Sequence, residues 1–186
     1  MHATDIFALA VSPSQILTGS GEPSIKIHST TADDFAIAQV LKDVHKLGCH
    51  HIAIDEKGTR AVSVGFGGEV RVWKFDEGIW KDDGEVHNKG SSKETAASKK
   101  KAGEVWAVAL SLDGQHLAST THDGRVNVWD LGGGSGRQRI GEFETKGSFG
   151  MCVDLVSLIH RYNCGTVPED DDNHLILCCS RLTAAS

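Results

Sequence analysis

A chain of 186 residues is long enough for one ordinary domain with its own core. Its formal charge of −6, from 19 Lys+Arg against 25 Asp+Glu, excludes a chain-wide attraction to nucleic acid or anionic membrane. Five cysteines, irregularly spaced, argue against a disulfide framework. With no signal-like N-terminus and no apolar run near the ~18 residues of a membrane span, the expectation is a soluble intracellular chain.

The chain opens on "DIFALAVSPSQILTGSGEPSIKIHS". Its alternating apolar residues predict strands near Ile6–Val11, Gln15–Thr18 and Ser24–His28, with an outer strand near Ala36–Leu41. The same grammar returns in "HHIAIDEKGTRAVSVGFGGEVRVWKF" and again in "VWAVALSLDGQHLASTTHDGRVNVWDL". Strands are expected at His51–Ile54, Ala61–Val64 and Val70–Lys74, then at Val105–Ser111, His116–Thr120 and Val126–Asp130, with an outer strand near Gln138–Phe143. Asp113-Gly114 and Asp123-Gly124 supply the residues that tight hairpins tolerate at positive φ. Ser63 stands ten before Trp73 and Ser119 ten before Trp129, so these are copies of one unit. Cys49 and Cys152 sit in strand-like surroundings and are expected to be buried free thiols.

The two tryptophans are 56 apart, more than the ~40–45 residues of a bare four-stranded repeat. The excess is the polar stretch 81–103, which contains "SSKETAASKKK" and reads as a flexible insert between units. The units fall at 5–41, 50–76 and 104–143, with the start of a fourth at 147–155. From Val156 the repeat register is expected to stop. Val156-Ser157 is what a common intron start encodes when read in frame, so the expectation is intron read-through or a disordered tail over 156–186. An open half-ring would then leave the third unit's outer face uncovered and prone to aggregation.

This grammar resembles the WD40-repeat family. Trp129-Asp130 is its naming dipeptide, and Ser119, Asp123 and Trp129 resemble three members of the hydrogen-bonded His-Ser-Asp-Trp set of its blades. His45, eighteen residues before Ser63, occupies the loop-histidine position of the second unit, which Trp73 completes. The match departs from the pattern at Gly67, where the second unit lacks the Asp, and at Lys101, where the third lacks the His. The first unit has Thr18, Glu22 and His28 in place of Ser, Asp and Trp. These units are expected to rely more on apolar packing. Over roughly Asp5 to Leu155, including "LKDVHKLGCHHIAID" and "FETKGSFGMCVDL", the likeness extends to the fungal-type WD-repeat subunits of Ski (superkiller) complexes.

The resemblance implies an all-β, seven-bladed propeller, here incomplete at about three blades. It implies a non-catalytic scaffold without cofactor, supporting a helicase and a tetratricopeptide-repeat subunit in exosome-mediated mRNA decay. A second implied role is meiotic recombination, through the enzyme that makes double-strand breaks. The alternative is a WD40 adaptor of another complex, a ubiquitin-ligase substrate receptor or a chromatin adaptor. Neither nucleic acid nor membrane is an expected partner. The expected location is the cytoplasm, with the nucleus also open to it.

Other motifs weigh little. His160, Cys164, His174 and Cys178 form two His-x3-Cys pairs, but lack the spacing of common zinc modules, so no metal is expected. Cys49, His50 and His51 are adjacent and alternate across a strand, which prevents a shared ligand. Gly132 to Gly136 lacks the Lys-Ser/Thr of a phosphate loop, and Lys99 to Lys101 is a short run offset by Glu94 and Glu104. No catalytic residues are assigned. In the family topology, loops before the first strand and between the second and third share one face. On it Phe66, Trp106, His122 and Phe149 are the candidate partner contacts, since aromatics are enriched at binding hot spots. The competing reading of Trp106 is simple packing between blades.

Overall fold

The computed structural model describes residues 2–31, 34–86, 105–132, 137–144, 150–157 and 175–181. Among these the chain is all strand and turn. β1 (Ile6–Val11), β2 (Gln15–Ser20), β3 (Ile25–Ser29) and β4 (Ile37–Leu41) form the first four-stranded sheet. β5 (Cys49–Ile54), β6 (Arg60–Gly65), β7 (Val70–Asp76) and β8 (Ile79–Val86) form the second. β9 (Val105–Leu110), β10 (His116–Thr121), β11 (Arg125–Asp130) and β12 (Gln138–Glu144) form the third. Each is an antiparallel meander in chain order, the blade of a β-propeller. Gly58, Gly114 and Gly124 turn the hairpins at positive φ.

Two segments differ from the sequence expectation. The insert does not begin at Lys81: β8 continues to Val86, because Trp80 and Val86 are buried and Arg71 and Trp73 of β7 pair with Glu85 and Asp82. A run of charges hid a strand whose exposed side faces water. Beyond Leu155 the described residues form no further four-stranded blade. β13 (Gly150–Ser157) pairs antiparallel with β14 (Leu175–Arg181), so backbone pairing extends into the segment expected to be a tail.

The core lies between blades. Ala8, Ala10, Leu17, Ile25 and Ile27 of the first pack with Ile52, Trp73 and Trp80 of the second. Val62, Val64, Val70 and Val72 of the second pack with Val105, Val108, Leu110, Leu117 and Trp129 of the third. Ala107, Ala109, Ala118 and Val126 of the third are covered by Val153 and Leu155 of β13. The third blade's outer face is therefore not the open one. Among the described residues, apolar side chains also stand uncovered on β1, where Leu9 and Val11 are exposed. Each fully buried aliphatic side chain contributes about 1.5–3 kcal/mol, so a blade alone lacks most of its stabilisation.

Polar staples tie the rims. The Gln39 amide pairs with Trp80 like a short strand, accepting from its backbone N–H at 2.8 Å and donating to its carbonyl at 2.9 Å. The Trp80 indole donates to Gln15 Oε1 at 2.7 Å. Between the second and third blades, Arg60 Nη1 donates to the Gly114 carbonyl at 2.8 Å. Cys49 is buried, and burial pushes its thiol pKa up to about 12, which leaves it inert. Cys152, expected to be buried, is exposed, because it lies on the side of β13 opposite Val153 and Leu155.

Candidate functional site: blade sets and an aromatic row

The second blade is held by a four-membered relay. The Trp73 indole donates to Ser63 Oγ at 2.9 Å, and Ser63 Oγ lies 2.8 Å from His45 Nε2. His45 Nδ1 lies 3.1 Å from Glu69 Oε1. Only one assignment satisfies all four groups. The indole can only donate and the carboxylate only accept, so the hydroxyl donates to Nε2 and the proton sits on Nδ1. Burial holds the His45 pKa below its ordinary value, against the attraction of Glu69. The missing carboxylate at Gly67 is thus supplied from Glu69, two residues on. A Cβ at Gly65 would overlap Glu69 Oε1 and stand 2.6 Å from His45 Nδ1, and one at Gly67 would stand 2.5 Å from Glu69 Oε2. The two glycines make room for the carboxylate.

The first blade builds the same device from other residues. His2 Nε2 lies 2.8 Å from Thr18 Oγ1, and Thr18 Oγ1 lies 3.4 Å from His28 Nε2. His2 Nδ1 lies 2.8 Å from Glu22 Oε2 and also from Ser20 Oγ. Hydrogen bonds from His2, the Ala3 amide and Lys26 hold the Glu22 carboxyl at a pKa of about 2. The expectation that these two blades lean on apolar packing in place of a polar set is corrected. Substituted residues complete both sets.

The third blade, whose motif looks most typical, has the broken set. Ser119 Oγ and Trp129 Nε1 are buried and have no hydrogen-bond partner among the described residues. Asp123 does not reach them. Thr121, in the position of Gly65, donates to Asp123 Oδ1 at 2.5 Å, and Arg125 Nε lies 3.5 Å from Asp123 Oδ2. Lys101 lies outside the described residues, as do His160, Cys164 and His174 of the possible metal pairs. Among the described residues no cluster of His, Cys, Asp and Glu has the geometry to hold a metal ion.

On the face carrying these loops, rings line up across all three blades. Phe7 meets Phe66 edge-on at 5.2 Å, Phe66 meets His50 at 5.1 Å, and His50 meets Trp106 at 5.2 Å. His122 closes the row 6.5 Å from Trp106. Trp106 remains 38% exposed, so it is not sealed between blades. Phe149 lies outside the described residues.

The row has one structural cause. Each inner strand opens on a β-bulge. Ile6 and Ala8 pair with Ser20 and Gly19, leaving Phe7 unmatched; Cys49 and His51 pair with Gly65 and Val64, leaving His50; Val105 and Ala107 pair with Thr121 and Thr120, leaving Trp106. In β13 the unmatched residue is Met151, also exposed. A bulge re-aims one side chain out of the pleat, here the same register position in every unit. Phe7, His50 and Met151 were not among the candidate partner contacts expected from the sequence. The signal was there: each sits two residues before a large aliphatic residue of its strand (Leu9, Ile52 and Val153), as Trp106 does before Val108.

Comparison with known proteins agrees with this architecture. The model "WD domain, G-beta repeat" matches residues 95–130. The chain is 33% identical over 153 residues to the meiotic recombination protein rec14 of Schizosaccharomyces pombe (strain 972 / ATCC 24843), covering 82% of this chain and 46% of that protein. It therefore spans about half the length of that relative. Among solved structures it is similar to the β-propeller domain of Myceliophteria thermophila Cps50 (Swd1), with TM-score 0.62 and 12% identity, covering 83% of this chain and 49% of that one. It is similar as well to U3-55K, with TM-score 0.61 and 17% identity, covering 83% and 43%. Three meander blades, polar sets at their repeat positions and these likenesses identify the chain as a WD-repeat protein of the β-propeller fold.

Proposed function

We propose that the chain is a protein-interaction scaffold for meiotic recombination, binding a partner protein along the row of Phe7, Phe66, His50, Trp106 and His122. The observation that carries this reading is the row itself. Five rings from three blades touch in series on one face, and three of them are placed there by a bulge. Large rigid rings give contact area at low entropic cost, as binding hot spots require. The link to recombination rests on the likeness to the meiotic recombination protein rec14; the partner proposed in that reading, the enzyme that makes double-strand breaks, rests on the sequence resemblance alone. No catalytic step is assigned: His45, Ser63 and Glu69 hold the second blade together, and His2, Thr18 and Glu22 the first.

The second reading is support of a helicase and a tetratricopeptide-repeat subunit in mRNA decay, favoured by the resemblance of the segment around "TKGSF" to Ski-complex subunits. The two readings place the chain in the nucleus and the cytoplasm respectively. Affinity purification of the tagged protein from meiotic and vegetative cells tests both. Recovery of the break-forming enzyme, lost with Trp106→Ala, supports the first. Recovery of the helicase alone supports the second. Cullin or histone partners overturn both.

A further inference from the structure

Two loops of the second blade carry the middle of the row. The β6–β7 turn holds Phe66 between Gly65 and Gly67, and the loop from His45 runs through Gly48 into Cys49 and His50. The Glu69 carboxylate lies against both flanks of Phe66. A Cβ on Gly65 would overlap its Oε1, and one on Gly67 would stand 2.5 Å from its Oε2. Within the turn, the Gly65 N–H donates to the Glu69 carbonyl at 3.0 Å and the Gly68 N–H to the Gly65 carbonyl at 2.9 Å. The turn is tied to the other loop twice. Glu69 Oε1 accepts from His45 Nδ1 at 3.1 Å, and the Phe66 N–H donates to the Gly48 carbonyl at 3.1 Å. The His45 loop is anchored in its turn. The Gly48 N–H donates to the His45 carbonyl at 3.0 Å, and the Val44 and His45 N–H groups donate to the Pro23 carbonyl of the first blade at 2.7 and 3.3 Å. Gly48, at φ 92°, packs so closely on the Ser20 carbonyl that a Cβ would stand 2.5 Å from it. His50 then stands between the rings of Phe66 and Trp106.

We propose that Glu69 is a positioning residue for recognition: its carboxylate, anchored on His45, fixes Phe66 and, through Gly48, His50 in the line that a partner meets. The role in recognition rests on the reading of the row as the binding surface. A turn with glycine on both sides of its ring has little conformational restraint of its own. The place of Phe66 is therefore set by what the turn rests on. Fixed placement favours binding, because a loop that must be ordered on contact costs affinity. The third blade has a related arrangement around its own loop ring. His122 stands between Thr121 and Asp123, whose side chains bond each other at 2.5 Å.

Side-chain NMR of the 186-residue chain tests the positioning without a partner. The His50 ring protons lie close to Phe66 and Trp106, so ring currents make their shifts a report on the row. Spectra are taken at a pH well above the ordinary histidine value. Glu69→Asp keeps the charge and shortens the reach by one carbon. It is expected to move the His50 and Phe66 resonances toward those of freely moving rings. Gly67→Ala, which crowds Oε2 and leaves Oε1 on His45, should displace them independently. Glu69→Gln, which keeps the reach and an acceptor, should hold them near the parent. The Trp80 indole proton, bonded to Gln15 at 2.7 Å at the other end of the strands, should stay in place throughout and shows that the blades are folded. Capture of the break-forming enzyme should fall about tenfold with Glu69→Asp, the scale of losing one hot-spot contact, and less with Glu69→Gln. Unmoved His50 and Phe66 resonances in folded Glu69→Asp and Gly67→Ala overturn the proposal, as do equal displacements in Glu69→Asp and Glu69→Gln. Rings that move without loss of capture, where Trp106→Ala abolishes capture, overturn the role in recognition. Capture that survives Trp106→Ala sinks the row as the binding surface, and that role with it, whatever the shifts show.

Discussion

Glu69 Oε1 lies 3.1 Å from Nδ1 of His45, and the carboxylate reaches it only because Gly65 and Gly67 lack side chains. This pair converts a motif that looks defective in sequence into the complete relay of the second blade. Gly65→Ala forces a Cβ into both partners. The expected cost is about 1–3 kcal/mol, that of breaking a buried hydrogen-bonded group. Glu69→Ala, which strips the acceptor from His45, should cost a similar amount, and Glu69→Gln should cost less. Urea unfolding of the three variants measures the order; equal stability of Gly65→Ala and the parent refutes the assignment.

Trp73 and Trp129 separate packing from hydrogen bonding. Both are buried core aromatics, so either Trp→Ala should cost about 3–5 kcal/mol. Trp→Phe distinguishes them. Trp73 donates to Ser63, and its loss should leave the buried Ser63 oxygen without its donor, at a cost of about 1–3 kcal/mol from that loss alone. Trp129 Nε1 has no partner among the described residues, so Trp129→Phe carries no such term. Thermal melts of the two Phe variants give the comparison, and an equal drop in Tm counts against the broken third set.

Stability should fall on acidification. Burial holds the pKa values of His45, His50 and His51 below the ordinary 6.5. Below about pH 6.5 the unfolded chain therefore binds protons that the folded chain refuses. Stability is full above that pH and is lost as pH drops toward the lowered folded values. Each histidine contributes at most about 1.4 kcal/mol per pH unit, and the half-open His50 less. Glu22 acts lower: its stabilisation is present above 4.5 and is lost as pH falls toward about 2. His51→Ala, matching Ala8 and Ala107 in register, should flatten the slope between pH 7 and 5. Urea midpoints across that range check it.

Truncation of the row should cost binding and leave the fold intact. Trp106→Ala and Phe66→Ala are each expected to weaken partner capture by about 1–2 kcal/mol or more, with Tm nearly unchanged. Met151→Ala, at the fourth bulge, should have a smaller effect. Calorimetric titration with a captured partner, beside a thermal melt, reads both quantities. Loss of folding with Trp106→Ala would return that residue to the role of an inter-blade packing group.

The sequence by itself determined the blades. Alternation of apolar residues has the period of a strand, and Asp-Gly turns mark the hairpins, so Ile6–Val11 and Arg125–Asp130 were legible within a residue of their observed bounds. The ten-residue spacing from Ser63 to Trp73 likewise marked a cross-strand contact, since it spans one hairpin. The tertiary structure alone decided three things. It showed that Glu69 replaces the carboxylate absent at Gly67 and that His2 completes the first blade, because a hydrogen bond depends on reach and direction, which spacing does not encode. It showed that the well-matched Ser119 and Trp129 do not bond each other and that Asp123 bonds Thr121 instead, because identity at a spacing does not set the direction of a side chain. And it brought Phe7, His50 and Trp106 into one row, because a bulge shifts register by one residue and turns outward a side chain that strict alternation assigns elsewhere.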